Sequence, residues 1–357
     1  MTSVGRDELV RRHAVAASNT FLKLGGWRYA DALYLIGGFA RGEGLARIER
    51  GRLEVLNDID LLAVVGRPSL RRLIGLTALI RRWKRLAQGG VIDLVVKSKA
   101  DVLAEPRTIA HADLRHDHCW LWGKPILALT PRAESFCLDR GDALQLLMNR
   151  QASLMHGILA LSDADNHDWV RVQVAKPLFA AMAAALVFTD AYHPSLLEQR
   201  RRIDTIPSGP LSPLLRQDVF LRHLDESMRF RADPAAVHAA ATQESLHEVG
   251  VWYCQFVRAS MSMHYGQAAD APLDVLIRAM RSRQPRQFDL RLLGWWACWR
   301  GGHARWPRVD VHPLVDVYAA HLRWMSAWLQ QPQSADRRQL GRLLDRWSFS
   351  AYGCRLR

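Results

Sequence analysis

Asn57-Asp58-Ile59-Asp60-Leu61-Leu62-Ala63-Val64-Val65 is the stretch whose reading decides the fold. Two carboxylates stand two residues apart at the head of an apolar run, and Gly66-Arg67-Pro68 closes it. A short apolar run bounded by turn residues reads as a buried strand. The two-residue side-chain period of a strand then puts Asp58 and Asp60 on one face, where they can share a cation. Upstream, residues 32 to 36 (Ala-Leu-Tyr-Leu-Ile) form another buried strand, stopped by Gly37-Gly38. A glycine pair lets the backbone approach a phosphate closely with N–H groups of the turn facing it, and Arg41 adds a positive charge. Glycines end strands in many settings, so this pair takes its weight from the Asp-x-Asp strand downstream.

Beyond Pro68, residues Leu70, Leu73, Ile74, Leu76, Leu79, Ile80, Trp83 and Leu86 recur at helical spacing with arginines on the opposite face. Gly89-Gly90 ends that helix, and a third strand, Val91 to Val96, follows at once. Asp93 lies inside it between Val91-Ile92 and Leu94-Val95, a setting where a carboxylate needs a partner to offset desolvation. A divalent cation beside Asp58 and Asp60 is such a partner. Hard oxygen donors suit Mg²⁺, with Mn²⁺ as a substitute, and two ions would activate an acceptor and steady a departing pyrophosphate.

The first hundred residues thus read helix, strand, long connection, strand, helix, strand. From Gly141 onward the signal changes to long helices: Asp142 to Ser162, Asp168 to Asp190, Ser212 to Arg231, Ala235 to Tyr265, Leu273 to Arg281 and Leu314 to Leu329. The fold class is α+β, with a small sheet domain over residues 1–130 and a helical domain over 131–357. Eight of the thirteen tryptophans lie beyond residue 250, Trp295, Trp296 and Trp299 among them, and core packing accounts for them better than a stacking platform for bases.

Composition bounds the partners. The chain has 357 residues, 49% of them hydrophobic and 24% charged, an ordinary globular balance. The first 27 residues spread charges among apolar positions, unlike a secretory signal. The longest apolar run, Pro177 to Phe188, falls short of the roughly 20 residues that cross a bilayer. Five scattered cysteines form no zinc-like or disulfide-like pattern, so a soluble protein of the reducing cytoplasm is expected. The formal charge of +14 draws phosphate-rich partners, RNA included, although only six of the 49 basic residues are lysine, a bias that a GC-rich gene also produces.

Gly37-Gly38-Phe39-Ala40-Arg41-Gly42-Glu43, then Asn57-Asp58-Ile59-Asp60-Leu61-Leu62, then Ile92-Asp93-Leu94 resemble the nucleotidyltransferase superfamily with the DNA polymerase β-like fold. Within it the chain looks closest to bacterial minimal and kanamycin-type members, in which a helical domain follows the catalytic one. The motif-bearing resemblance covers about residues 28 to 130, and Trp122-Gly123-Lys124-Pro125 looks like the turn that closes such catalytic domains. It implies a mixed-sheet catalytic domain that moves a nucleoside monophosphate from a nucleoside triphosphate to a small molecule, protein or RNA. Asp58 and Asp60 would be metal ligands, and Asp93 a ligand or acceptor-activating base. Lys176-Pro177-Leu178 through Tyr192 and Arg200 resembles the helix that follows the catalytic domain in related transferases, which implies that Lys176 and Tyr192 face the triphosphate with Gly37, Gly38 and Arg41. Nineteen residues separate Gly38 from Asp58, a longer connection than most members show, and it is either a hairpin lid or a solvated loop. The rival reading is a catalytically silent fold serving as a nucleic-acid-binding or assembly module.

Overall fold

The computed structural model describes residues 3–49, 52–66, 70–86, 92–105, 107–130, 137–161, 166–235, 242–283, 314–332 and 337–352. The chain divides into two units. The first takes Met1–Asp139 and also two later segments, Asp190–Arg201 and Met228–His238. The second takes Arg140–Thr189, Arg202–Ser227 and Ala239–Arg357. A single cut near residue 130 therefore misses two returns of the chain to the first unit.

In the first unit, α1 (Ser3–Lys23) leads into β1 (Ala30–Ile36). A one-turn helix, α2 (Gly37–Ala40), follows without a break. β2 (Ala46–Glu49) and β3 (Arg52–Val55) pair as a separate hairpin. Next come β4 (Ile59–Val65), α3 (Leu70–Leu86), β5 (Ile92–Ser98), α4 (Lys99–Leu103), α5 (Ile109–His116) and β6 (Cys119–Gly123). The main sheet has the order β5-β4-β1-β6. β1 runs antiparallel to β4 and β6, whereas β4 and β5 are parallel, so the sheet is mixed. The helix α3 between β4 and β5 supplies the crossover that a parallel pair requires.

Strand alternation builds a core on each face of this sheet. Leu33, Leu35, Ile59, Leu61, Ala63 and Val65 pack with Val10, Ala14, Ala17 and Phe21 of α1 and with Leu76, Leu79 and Trp83 of α3. Ala32, Tyr34, Leu62 and Val64 pack on the other side with Val102, Leu114, Ile126 and Leu127. Each buried aliphatic side chain of this kind contributes about 1.5–3 kcal/mol. Trp83 donates its indole N–H to the Ala17 carbonyl at 2.8 Å, which locks α3 to α1. The long connection between Gly38 and Asp58 is largely the β2–β3 hairpin, whose Ala46 is fully buried and whose Leu53 and Val55 pack on the first core. It is a seated hairpin rather than a solvated loop; Arg50 lies outside the described residues.

Gly123 ends β6 at φ 83, where a Cβ would lie 2.2 Å from the Asp31 carbonyl oxygen. Lys124 then donates its N–H to that same oxygen at 2.9 Å. The Gly-Lys-Pro turn thus fastens the edge strand to the start of β1.

Among the described residues the remaining α-helices are α6 (Arg140–Ala160), α7 (His167–Phe188), α8 (Leu196–Ile203), α9 (Ser212–Leu215), α10 (Asp218–Ala232), α11 (Gln243–Tyr265), α12 (Leu273–Arg283), α13 (Leu314–Gln330) and α14 (Arg337–Tyr352). The single helix expected from Ser212 to Arg231 is two, broken at Arg216-Gln217, and α8 and α14 were not anticipated. α7 is long and apolar enough to span a membrane, yet most of it is buried within the second unit. Trp252, Trp324 and Trp328 are buried there, as core packing predicts, while Trp295, Trp296 and Trp299 lie outside the described residues.

Candidate functional site

The parallel register of β4 and β5 pairs Asp60 directly with Asp93. Residues opposed on neighbouring strands project to the same face about 4.8 Å apart, so the two carboxylates share one end and one side of the sheet. Asp58 lies two residues before Asp60, just ahead of β4, and is exposed, whereas Asp60 is half-buried. Asp60 is also the register partner of Ile36, the last residue of β1. The chain therefore turns into Gly37-Gly38 beside that carboxylate. Gly37 sits at φ 72, in the left-handed region, and a Cβ there would lie 2.6 Å from Asp60 Oδ2. Only glycine lets the turn approach the carboxylate this closely.

Asp93 differs from the expectation of a desolvated carboxylate. β5 is the outer strand of the sheet, and the Asp93 side chain is 53% exposed. Its Oδ1 accepts a short hydrogen bond from the Lys84 ammonium in the last turn of α3. An edge strand lacks a neighbour on one side, so water and a lysine reach a position that apolar flanks alone would bury.

Hard oxygen donors at Asp58 and Asp60, with Asp93 alongside, are the kind of set Mg²⁺ takes when phosphates complete its shell. Among the described residues no group of three or more His, Cys, Asp and Glu side chains is placed to hold a metal ion, Asp58, Asp60 and Asp93 included. His116 and His118 are engaged within the protein: His116 Nδ1 lies 2.6 Å from Asp117 Oδ2, and His118 Nδ1 lies 3.0 Å from the Leu114 carbonyl.

Arg41 is not an open cation at the turn. It donates from Nε to Glu43 Oε2 at 3.0 Å, and its Nη1 lies 3.1 Å from Asp113 Oδ2, with the side chain only 11% exposed. Tyr192 is buried and donates its hydroxyl to Asp113 Oδ1 at 2.5 Å. Glu43 accepts the Leu196 N–H on Oε1 at 2.7 Å, and its main-chain carbonyl accepts from Arg231 Nε. These contacts assemble residues from α5, α8 and α10 around the loop that leaves Gly38.

Burial would lower the Arg41 pKa, but the carboxylates of Asp113 and Glu43 outweigh it and hold the guanidinium charged. Burial raises Asp113 above the usual carboxylate range in spite of Arg41 and the Tyr192 hydroxyl. Tyr192 is pushed well above 10, first by burial and then by Asp113, so it remains a hydrogen-bond donor. Burial lowers Arg231 to about 10. Glu43, Asp113, Arg231 and Lys84 carry no motif of their own. Glu43 lies in the Arg41-Gly42-Glu43 stretch, but its partners are scattered along the sequence.

Lys176 belongs to the second unit, on α7, where its ammonium lies 5.5 Å from the centre of the Trp169 ring. This is a cation–π contact. No known protein family, curated protein or solved structure matches this chain.

Proposed function

We propose that this chain is a magnesium-dependent nucleotidyltransferase of the DNA polymerase β-like kind, with a mixed-sheet catalytic unit and a helical second unit. The observation that carries the reading is the placement of three features at one end of the sheet: the Asp60–Asp93 register pair, Asp58 before it, and the Gly37 turn against Asp60 Oδ2. That arrangement suits a nucleoside triphosphate whose phosphates lie along the turn and whose metal ions are held by the carboxylates. Asp58 and Asp60 would hold Mg²⁺, which supplies charge neutralisation at the phosphates. An acceptor hydroxyl attacks the α-phosphorus, the bond to the bridging oxygen breaks, and pyrophosphate leaves. Asp93 takes the acceptor proton or completes the metal shell. Tyr192 remains a candidate for the triphosphate through Asp113 rather than by an open hydroxyl, whereas Lys176, in the second unit, stays an expectation of the resemblance alone.

Incubating the protein with each labelled triphosphate, Mg²⁺ and a cell extract, then resolving RNA, protein and small molecules, tests the activity and identifies the acceptor class. Wild-type transfer by Asp60→Asn would overturn the assignment.

One observation favours the second reading, a silent fold that binds nucleic acid: the Lys84 ammonium already sits on Asp93. Such a module binds polyanions with a steep salt dependence and no need for Mg²⁺. Triphosphate binding that requires Mg²⁺ and resists salt supports the enzyme.

A further inference from the structure

Gly38 has an ordinary backbone angle, so its lack of a side chain needs another cause. A Cβ at Gly38 would lie 2.8 Å from Arg231 Nη2. The space belongs to a guanidinium delivered by the last turn of α10, within the Met228–His238 segment of the first unit. The same guanidinium donates from Nε to the main-chain carbonyl of Glu43, 188 residues away in sequence. Glu43 in turn donates its N–H to the Gly38 carbonyl at 2.7 Å. The loop leaving Gly38 is thus closed on itself at Glu43 and held there from outside by one side chain, whose guanidinium also occupies the space beside Gly38. On its other side the Glu43 carboxylate is held by Arg41 and by the Leu196 N–H.

From this geometry we infer that Arg231 is a positioning residue that clasps the Gly38–Glu43 loop and so fixes the Gly37 turn against Asp60. The inference rests on the proposed nucleotide site for its consequence, but the clasp itself is a property of the protein without ligand. A partly desolvated arginine spends its directed N–H donors well on a main-chain carbonyl, because its planar fork keeps two edges in fixed relation. A loop closed by so few bonds opens locally when one is removed, while the rest of the unit stays folded.

Two variants test the clasp. Arg231→Met keeps the length and apolar stem while removing every donor. Gly38→Ala keeps the arginine but pushes it aside. Hydrogen exchange of the full-length protein is read on peptides covering residues 37–45, with peptides of β1 and β4 as internal controls. The clasp predicts that each variant speeds exchange of the Glu43 amide by about ten-fold or more, with the controls unmoved. It further predicts that Gly38→Ala adds little in the Arg231→Met background, because the obstructing group is gone. Arg231→Lys, which retains a donor, restores part of the protection.

ATP and GTP binding with Mg²⁺ is measured on the same proteins, where a displaced turn weakens affinity by roughly ten- to a hundred-fold. Unchanged exchange at Glu43 in both variants, or fully additive effects of the two, overturns the clasp whatever the function. Faster exchange in variants of a protein that binds neither triphosphate leaves the clasp standing and removes the nucleotide reading instead. Should Arg231→Met fail to fold, Gly38→Ala with and without Arg231→Lys carries the same comparison.

Discussion

The first unit holds two groups of carboxylates treated in opposite ways. Asp58, Asp60 and Asp93 lie at or just before the starts of two neighbouring strands, Asp58 exposed, Asp60 half-buried, and Asp93 bonded to a half-exposed lysine. Glu43 and Asp113 are enclosed with Arg41, Tyr192 and Arg231 and are bonded on several sides. A carboxylate kept near solvent at a strand end contributes little to folding and is poised to meet a cation. One kept inside must be paired, because an isolated buried charge costs several kcal/mol. On the proposed function the first group binds, and the second holds the loop in place. Mutations should therefore separate them: loss of function with the fold kept in one, and effects read first on stability and local opening in the other.

The largest effect is expected at Asp60. On the proposed function Asp60→Asn removes a metal-ligating charge at nearly constant volume, and nucleotide transfer should fall by roughly a thousand-fold or more. Its melting temperature without metal should stay near that of the wild type. Asp58→Asn should behave alike. A variant that melts far below wild type would place Asp60 with the structural group and break the contrast.

Next comes Arg41→Ala. Removing one partner of a buried pair leaves Glu43 and Asp113 without their cation, a change that typically costs about 3–5 kcal/mol. Urea unfolding at neutral pH measures it. Full stability combined with weakened triphosphate binding would return Arg41 to the role the motif first implied, a direct phosphate contact.

The contrast also explains what was legible in the sequence. The strand from Ile59 to Val65 was legible because an apolar run bounded by turn residues is a local signal, although Asp58 falls just ahead of it, outside the strand period that would set it on one face with Asp60; Gly37-Gly38 was legible because glycines punctuate strands. Both are confined to a few consecutive residues. The run from Val91 to Val96 was equally visible as a strand, but a central and an edge strand carry the same apolar composition, so the exposure of Asp93 was not. α8 is hard to read for the opposite reason: half of Leu196–Ile203 is charged, with few apolar positions to set a period. The Arg41 cluster was out of reach altogether, since Glu43, Asp113, Tyr192 and Arg231 come from four separated places in the chain. Only tertiary structure brings them together, and the same is true of the two late segments that rejoin the first unit.

A smaller effect is expected from Tyr192→Phe, which deletes the hydroxyl bonded to Asp113 and nothing else. A hydrogen bond to a charged partner contributes about 1.5–3 kcal/mol, so urea unfolding should show a loss at the lower end of that range. Nucleotide affinity measured at a temperature where the variant is folded should change by less than about three-fold if the phenol acts only through Asp113. A larger loss of affinity with unchanged stability would make Tyr192 a direct ligand of the triphosphate.

The smallest effect, and the sharpest in sign, concerns Asp113→Asn. Burial holds the Asp113 carboxyl above its ordinary value of 3.8, so the folded protein binds this proton more tightly than the unfolded chain does. The contribution of Asp113 to stability is then fullest below 3.8 and declines as pH rises through the elevated folded value. At neutral pH the ionised side chain is a net cost relative to the neutral one, even beside Arg41. Asparagine imitates the neutral form and still accepts the Tyr192 hydroxyl. The variant should therefore match wild type at pH 7 or exceed it by up to about 1 kcal/mol. The difference should close as the pH falls and the native aspartate protonates. Asp101 supplies the control of opposite sign, because its hydrogen bond from Ser98 lowers its pKa. Asp101→Asn should lose stability at neutral pH, and that deficit should close in acid. If Asp113→Asn instead loses as much stability at pH 7 as Arg41→Ala, the ion pair with Arg41 outweighs burial, and the enclosed group is held together by charge rather than in spite of it.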